Sequence, residues 1–64
     1  MKIGFIGAGN MATAIIGGLL RSGTKAEDIL VYDIFADKLT AFSQQGLSVL
    51  GDANKLTENS DIIV

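Results

Sequence analysis

A short segment near the amino terminus, Gly7-Ala8-Gly9-Asn10-Met11-Ala12, has the spacing G-x-G-x-x-G/A. In such a loop the first glycine makes a tight turn, the second lets the backbone approach a pyrophosphate, and the small last residue keeps the next helix close to its strand. The N–H groups at the start of that helix then face the phosphates. The spacing indicates a phosphate-binding loop, although six residues alone fit equally well a turn that only reverses the chain.

Asp33 supplies the second part of this pattern. It ends the largely apolar run 29–33, where the acidic residue of a dinucleotide-binding fingerprint accepts hydrogen bonds from the adenosine ribose. The alternative is a solvent-facing residue that opens a turn, which is a common position for aspartate. Because the loop and the acid occur in the expected order, the sequence predicts that the chain binds a dinucleotide.

Asp33 also bears on which dinucleotide is used. A carboxylate beside the ribose repels the 2′-phosphate that distinguishes NADP(H) from NAD(H). No arginine directly follows the predicted strand to bind that phosphate. Lys38 would offset the repulsion if its side chain reached back. From the residues we therefore expect NADH to be favoured over NADPH.

The composition excludes several other kinds of chemistry. The chain contains no cysteine and no histidine, so it forms no disulfide, no zinc site with thiolate or imidazole ligands, and no Ser-His or Cys-His nucleophile pair. Its five Lys plus Arg and seven Asp plus Glu give a net charge of -2 without a basic cluster, which argues against a nucleic-acid partner. We expect no catalytic and no metal-binding residue within these 64 positions.

The glycine loop lies in an uncharged stretch, residues 3–20, that superficially resembles an export signal. Lys2 precedes the stretch, and Ala12-Thr13-Ala14 has the small-x-small form of a signal-peptidase site. Glycines and polar residues interrupt the run, and its length barely reaches that of a membrane span. We therefore expect a cytoplasmic protein without a membrane partner.

Periodicity and turn residues predict alternating strands and helices. Strands are expected at 2–6, 29–33, 47–50 and from 61 onward, and helices at 10–21, 37–45 and 53–59. Gly23 and Gly46 are placed to end the first two helices, and Asp52 is placed to cap the third. Such alternation, with nearly continuous apolar strands, predicts an α/β fold with a Rossmann-type parallel sheet.

The first predicted helix carries a wide apolar stripe. The stripe is expected to be buried and wide, and it consists of Met11, Ile15, Gly18, Leu19 and Ser22 at helical spacing with Ala12, Ile16 and Leu20 beside them. Gly17-Gly18 lies within the same helix, where each glycine costs about 1 kcal/mol relative to alanine. We expect close packing of the helix on the sheet to be the reason, with contact to a partner domain as the alternative.

The last three residues, Ile62-Ile63-Val64, form an apolar run without a following turn signal. They are expected to belong to a buried fourth strand. We therefore interpret residues 1–64 as the amino-terminal part of a dinucleotide-binding domain in a longer protein.

The residues 1–12, the segment 14–19 and the end 60–64 together resemble the amino-terminal end of pyrroline-5-carboxylate reductase. The resemblance spans essentially the whole chain. It implies reduction of 1-pyrroline-5-carboxylate to L-proline by hydride transfer from NAD(P)H, the last step of proline biosynthesis. Asp33 and Ile34 would lie at the adenosine ribose, and Asn54 would match a family asparagine near the nucleotide. The residues that would line the dinucleotide are Ile6, Gly7, Ala8, Gly9, Asn10 and Met11.

The resemblance also implies features that lie outside this chain. The family's substrate pocket and its helical oligomerisation domain come further along, so a small-molecule substrate and a homo-oligomer are expected for the longer protein. The family commonly uses NADPH and has small or hydroxyl residues after the second strand, and Asp33 departs from that pattern. Two alternatives stay open: another Rossmann reductase, such as a 3-hydroxyacid or prephenate dehydrogenase, and a nucleotide-binding module without catalysis.

Overall fold

The computed structural model describes residues 1–64, apart from the side chain of Ala36. Its strands are β1 (Ile3–Ile6), β2 (Ile29–Tyr32), β3 (Ser48–Val49) and β4 (Ile62–Ile63), and its helices are α1 (Asn10–Arg21), α2 (Thr40–Gln44) and α3 (Ala53–Asn59). Two 3-10 turns, Ala26–Asp28 and Ala36–Leu39, precede β2 and α2. The predicted alternation of strands and helices is confirmed.

The four strands form one parallel sheet in the order β3-β2-β1-β4. In β1, Ile3 is paired both with Ile29 of β2 and with Ile62 of β4. The strand order reverses at β1, because the chain passes from β3 at one edge of the sheet to β4 at the other. This is the Rossmann-type arrangement that the sequence predicted. In such sheets the ligand crevice opens at the carboxyl ends of the strands beside the reversal.

The main core lies on the face of the sheet that α1 and α2 cover. Phe5 and Val31 of the two central strands pack there against Ile16 of α1 and Phe42 of α2, and all four side chains are at most 6% exposed. Successive residues of a strand point to opposite faces. The neighbours of Phe5 and Val31 therefore face the other side, which α3 covers with the fully buried Leu56.

Gly4 in β1 is the position where α3 comes closest to the sheet. An ideal Cβ on this residue would collide with the side chain of Ser60 and lie 2.6 Å from Cδ2 of Leu56. Ser60 is fixed there because its Oγ donates a hydrogen bond of 2.6 Å to the carbonyl oxygen of Leu56. A glycine inside a strand often marks such an approach, but the sequence pattern gave no specific indication of the contact at Gly4.

Glycines end the first two helices as predicted. Gly23 after α1 has φ +103 and Gly46 after α2 has φ +92, a region that glycine adopts at little cost. Asp52 caps α3 as predicted, because its Oδ1 accepts the N–H of Asn54 at 2.6 Å. The second helix differs from the prediction, since its first turn, Ala36–Leu39, is a 3-10 turn.

The predicted buried stripe of α1 is confirmed at Ile16, and at Leu19 and Leu20, which pack against the core, but it is wrong at Met11 and Ile15. Ile16 is 1% exposed, whereas Met11 is 78% and Ile15 is 38% exposed. Each residue along a helix advances the side-chain direction by about 100°. A helix that turns Ile16 into the core therefore directs Ile15 and Met11 away from it, and both line a cavity that Val64 also borders.

The expectation of close packing at Gly17-Gly18 is also wrong. Among the described residues outside the helix itself, no heavy atom lies within 4 Å of an ideal Cβ on Gly18. A Cβ on Gly17 would meet only the flexible side chain of Arg21, at 3.3 Å. The glycine that permits close packing on the sheet is Gly4, on the opposite face.

The uncharged stretch 3–20 forms β1, the glycine loop and most of α1, and so it is no continuous helix. Within the part of the chain that the structure describes, no helix is both long enough and apolar enough to cross a membrane. The fourth strand is less buried than expected, since Ile62 is 46% and Ile63 is 43% exposed.

Candidate functional site

The first glycine of the loop is required by the turn itself. Gly7 directly follows β1 and has φ +106, which is strained for any residue with a side chain. Its N–H donates a hydrogen bond of 2.7 Å to the carbonyl oxygen of Tyr32 at the end of β2. A loop that only reversed the chain would need this glycine, so Gly7 does not separate the two interpretations of the loop.

Gly9, the second glycine, does distinguish a phosphate-binding loop from a turn that only reverses the chain. Gly9 has φ -78 and ψ -172, an extended conformation that any residue adopts. Among the described residues, its chain neighbours aside, no heavy atom lies within 4 Å of an ideal Cβ at this position. Glycine is an acceptable N-cap, but the fold gives no steric reason for a missing side chain here. A ligand that must approach the backbone does give one, and the position fits the pyrophosphate of a dinucleotide.

The amino-terminal end of α1 offers donors to such a ligand. Gly9 is the N-cap, no side chain caps the helix, and the first turn contains no acidic residue. The Thr13 N–H and its Oγ1 both donate to the carbonyl oxygen of Gly9, each at 2.9 Å. The first N–H groups of the helix have no partner within the helix, and Asn10 and Met11 are exposed. An anion could therefore reach these donors.

A cavity of about 370 Å³ runs along the loop. It is bordered by Ile6, by the loop, by the first turn of α1 with Met11, and by Val64 beside β4. Ile6 is 50% exposed and Met11 is 78% exposed, and both side chains present apolar surface to the cavity. The structure thus brings together the predicted residues Ile6, Gly7, Gly9, Asn10 and Met11 at one crevice.

Ala8 has a different position from the rest of the loop. Its side chain is 7% exposed and belongs to the core under α1. Its N–H donates a hydrogen bond of 2.7 Å to Oδ2 of Asp33. Any contact of Ala8 with a dinucleotide would therefore come mainly from its backbone.

Asp33 is held from two sides. Its Oδ2 accepts the N–H of Ala8, and its Oδ1 accepts the N–H of Phe35 at 2.8 Å. These two hydrogen bonds, Phe35 first and Ala8 second, lower the pKa of Asp33, and the positive charge of Lys38 lowers it further. The carboxylate is therefore charged at neutral pH. An ionised carboxylate has about four acceptor positions, so two remain for the hydroxyls of a ribose.

A smaller cavity of about 150 Å³ lies at this carboxylate, bordered by Ile6, Gly7, Tyr32, Asp33 and Ile34. The predicted ribose residues Asp33 and Ile34 therefore adjoin the glycine loop. The bond between Asp33 and the loop backbone was missed by the sequence reasoning, because the fingerprint assigns this acid only to the ribose.

Asn54 lies apart from these residues. It occupies the first turn of α3, it is exposed, and its backbone N–H is bound by Asp52. It lines neither the cavity along the glycine loop nor the cavity at Asp33 within the described residues. Its contact with a nucleotide remains a prediction.

Lys38 lies on the other side of the loop from the crevice. It borders a cavity of about 550 Å³ that is also lined by Ala8, Gly9, Asn10 and Thr13. Its Nζ lies 5.3 Å from the centre of the Phe35 ring. Lys38 thus shares a cavity with the loop, and its charge lowers the pKa of Asp33.

The sequence that forms this glycine loop and helix end is matched by a known family. A model of the family described as NADP oxidoreductase, coenzyme F420-dependent, matches residues 2–64. The chain belongs to this family. The description names NADP, which supports a nicotinamide dinucleotide as the cofactor class and leaves the choice between NADH and NADPH for this chain open.

Individual relatives agree with the resemblance that the sequence indicated. The pyrroline-5-carboxylate reductase of Escherichia coli (strain K12) is 44% identical over 64 residues, covering 97% of this chain and 24% of that protein. The structure of a pyrroline-5-carboxylate reductase from Coxiella burnetii superposes with a TM-score of 0.90 at 35% identity, covering 97% of this chain and 23% of that one. The resemblance to pyrroline-5-carboxylate reductase is confirmed.

The family is wider than this one enzyme. A probable mitochondrial 3-hydroxyisobutyrate dehydrogenase of Arabidopsis thaliana is 31% identical over 63 residues, covering 98% of this chain and 17% of that protein. The chain spans about a quarter of the length of the pyrroline-5-carboxylate reductases that it matches.

Proposed function

We propose that this chain is the cofactor-binding part of a longer pyrroline-5-carboxylate reductase, which reduces 1-pyrroline-5-carboxylate to L-proline with NAD(P)H. The geometric observation that supports dinucleotide binding is Gly9, whose missing side chain has no steric reason within the fold and a clear one in the approach of a pyrophosphate. The choice of substrate is supported by the relatives, since the identity to the Escherichia coli reductase is 44% and that to the 3-hydroxyisobutyrate dehydrogenase is 31%.

The residues of this chain would bind and orient the cofactor. The N–H groups in the first turn of α1 would bind the pyrophosphate, and the close approach at Gly9 would allow it. Asp33, with Ile34 beside it, would bind the adenosine ribose, and Asn54 would contact the nucleotide. The bound dinucleotide supplies the hydride, and the protein supplies its orientation and electrostatic surroundings. Groups that act on the substrate would come from outside residues 1–64.

The cofactor preference follows from charge. Asp33 stays ionised because two backbone N–H groups and Lys38 lower its pKa. A fixed negative charge at the ribose disfavours a 2′-phosphate, so NADH is preferred to NADPH. The interrupted apolar run supports a cytoplasmic location for the longer protein. The family resemblance supports a homo-oligomer that assembles through its helical part.

The full-length protein tests this proposal directly. It is assayed with NADH and with NADPH, once with pyrroline-5-carboxylate and once with 3-hydroxyisobutyrate and the oxidised cofactors. Formation of L-proline, followed by chromatography together with dinucleotide oxidation, is the expected result. Turnover of the hydroxyacid without proline formation would favour the dehydrogenase instead, and dinucleotide binding without any turnover would favour a module without catalysis.

A further inference from the structure

The chain contains two methionines, and both are exposed. Met1 is 76% and Met11 is 78% exposed, although methionine commonly fills gaps in protein cores. Met1 lies at the amino terminus, at the opposite end of β1 from the glycine loop. Met11 lies in the first turn of α1 and borders the cavity of about 370 Å³ along the loop. The two thioethers therefore have similar access to solvent but different surroundings.

The surroundings of Met11 are apolar. Ile6, Ile15 and Val64 border the same cavity, and Ile6 and Val64 are themselves 50% and 55% exposed. Among the described residues, the buried core contains Ile16 of α1 but not Met11. A chemical change at the Met11 sulfur would therefore alter the surface of the crevice and leave the packing on the sheet unchanged.

The thioether of methionine is oxidised by peroxides. One oxygen of hydrogen peroxide is transferred to the sulfur, so that an S–O bond forms, the O–O bond breaks, the sulfur is oxidised by two electrons and the other oxygen leaves as water. The product is methionine sulfoxide, which is polar and which methionine sulfoxide reductases convert back to methionine. The exposure of Met11 leaves its sulfur open to this reaction as long as no ligand lies in the crevice.

We propose that Met11 is an oxidation site through which peroxides weaken dinucleotide binding, and that a bound dinucleotide protects it. The inference rests on the proposed function, because it places the dinucleotide in the crevice that Met11 borders. A ligand lying there covers the thioether. After oxidation the same ligand would have to cover a polar S–O group, which is unfavourable without a hydrogen-bond partner. A sulfoxide oxygen that accepted a free N–H of α1 would instead occupy a donor that the pyrophosphate needs.

The first experiment measures protection in the full-length protein. The protein is treated with hydrogen peroxide, with and without NAD⁺, and peptide mass spectrometry follows the sulfoxide at Met11 and at Met1. Without NAD⁺ we expect similar rates at the two residues, because their exposures are 78% and 76%. With NAD⁺ at about ten times its dissociation constant, only about a tenth of the protein is free, so the rate at Met11 should fall about tenfold. The rate at Met1 should not change.

The second experiment measures binding. Calorimetry gives the dissociation constant of NADH for the wild type and for Met11→Leu, each before and after peroxide treatment, with the remaining peroxide removed. For the wild type we expect about tenfold weaker binding after oxidation, the effect of one polar group covered without a partner. Met11→Leu lacks the sulfur and is compared only with itself, and its dissociation constant should change by less than about twofold on treatment. Methionine sulfoxide reductases should restore binding by the wild type.

Urea unfolding of each preparation separates loss of binding from damage to the fold. Because Met11 lies outside the buried core, the oxidised wild type and the oxidised Met11→Leu should unfold at the same urea concentration. An equal loss of binding by both would overturn the proposal, since another residue would then be responsible. The proposal would also be overturned if Met11 in the free protein formed no sulfoxide, if NAD⁺ gave no protection, or if complete oxidation of Met11 left NADH binding unchanged.

A failure of the proposed function gives a different pattern. If the wild type forms no proline but binds NADH, the assignment of the substrate fails, and the two experiments still decide the role of Met11. If the wild type binds no dinucleotide before peroxide treatment, the dinucleotide site itself is wrong, and the inference about Met11 falls with it.

Discussion

Alanine at position 9 distinguishes a loop that binds a ligand from a loop that only turns. The backbone at Gly9 is extended and no described atom beyond its chain neighbours lies within 4 Å of a new Cβ. Alanine is a poorer N-cap than glycine by roughly 0.5 kcal/mol, but it also restricts the unfolded chain, which stabilises by about 0.4–1 kcal/mol. We therefore expect Gly9→Ala to change the free energy of unfolding by less than about 0.5 kcal/mol.

The effect of Gly9→Ala on binding should be large. The added methyl group would occupy the open space over the loop, where the proposed pyrophosphate approaches the first N–H groups of α1. Loss of one hydrogen bond to a charged group costs about 1.5–3 kcal/mol. That cost corresponds to a dissociation constant raised roughly tenfold to a hundredfold for both NADH and NADPH.

Gly7→Ala is the matched control, since it places the same methyl group two positions earlier in the loop. The space around Gly7 is also open, but its φ of +106 is strained for alanine. Backbone strain of this kind costs about 1–3 kcal/mol. We expect Gly7→Ala to lower the stability of the protein, in contrast to Gly9→Ala.

Both variants are compared in the full-length protein by dinucleotide titration and by urea unfolding. The expected pattern is weak binding with normal stability for Gly9→Ala and reduced stability for Gly7→Ala. The reasoning would be refuted if Gly9→Ala bound NADH as tightly as the wild type, or if it lost as much stability as Gly7→Ala.

Three further predictions concern Gly4 and Asp33. Gly4→Ala should destabilise the protein by about 1–3 kcal/mol in urea unfolding, because the new Cβ would collide with Ser60 and lie 2.6 Å from Cδ2 of Leu56. An unchanged midpoint of the urea unfolding curve would show that α3 can shift to make room. Asp33→Ser should raise the affinity for NADPH relative to NADH in cofactor titrations, and an unchanged ratio would contradict the role of its charge. The pKa of Asp33 is lowered from its usual 3.8 on folding, so its stabilising contribution is present above that pH and is lost as the pH falls through the lower folded-state value. The stabilities of the wild type and Asp33→Asn should therefore differ at neutral pH and converge as the pH falls below 3.8. A difference that stays constant with pH would contradict the shift.

The order of the elements could be read from local patterns because each depends on neighbours in the chain. Short apolar runs marked the strands, and Gly23 and Gly46 marked the ends of two helices through their positive φ. Asp52 marked the start of α3 through a cap that spans two residues. A cap or a helix end involves only a few consecutive residues, so the sequence contains all the information that it requires.

The faces of the helices could not be read in the same way. The spacing of Met11, Ile15 and Ile16 is compatible with several orientations of α1, and the packing on the sheet selected the one that buries Ile16. The close approach of Ser60 to Gly4 likewise joins residues far apart in the chain. Such contacts depend on how two separately formed elements pack against each other. The local sequence of neither element specifies that packing.

The sequence by itself determined a Rossmann-type sheet, a glycine loop before α1 and an acid after β2. Only the tertiary structure decided what each residue of that pattern does. It assigned Gly7 to a strained turn and left Gly9 without a structural reason. It also joined the carboxylate of Asp33 to the loop at Ala8 and placed Lys38 in a separate cavity beside that loop. The physical reason is that spacing fixes conformation over a few residues, whereas the space around a Cβ and the field at a carboxylate depend on every element that packs nearby.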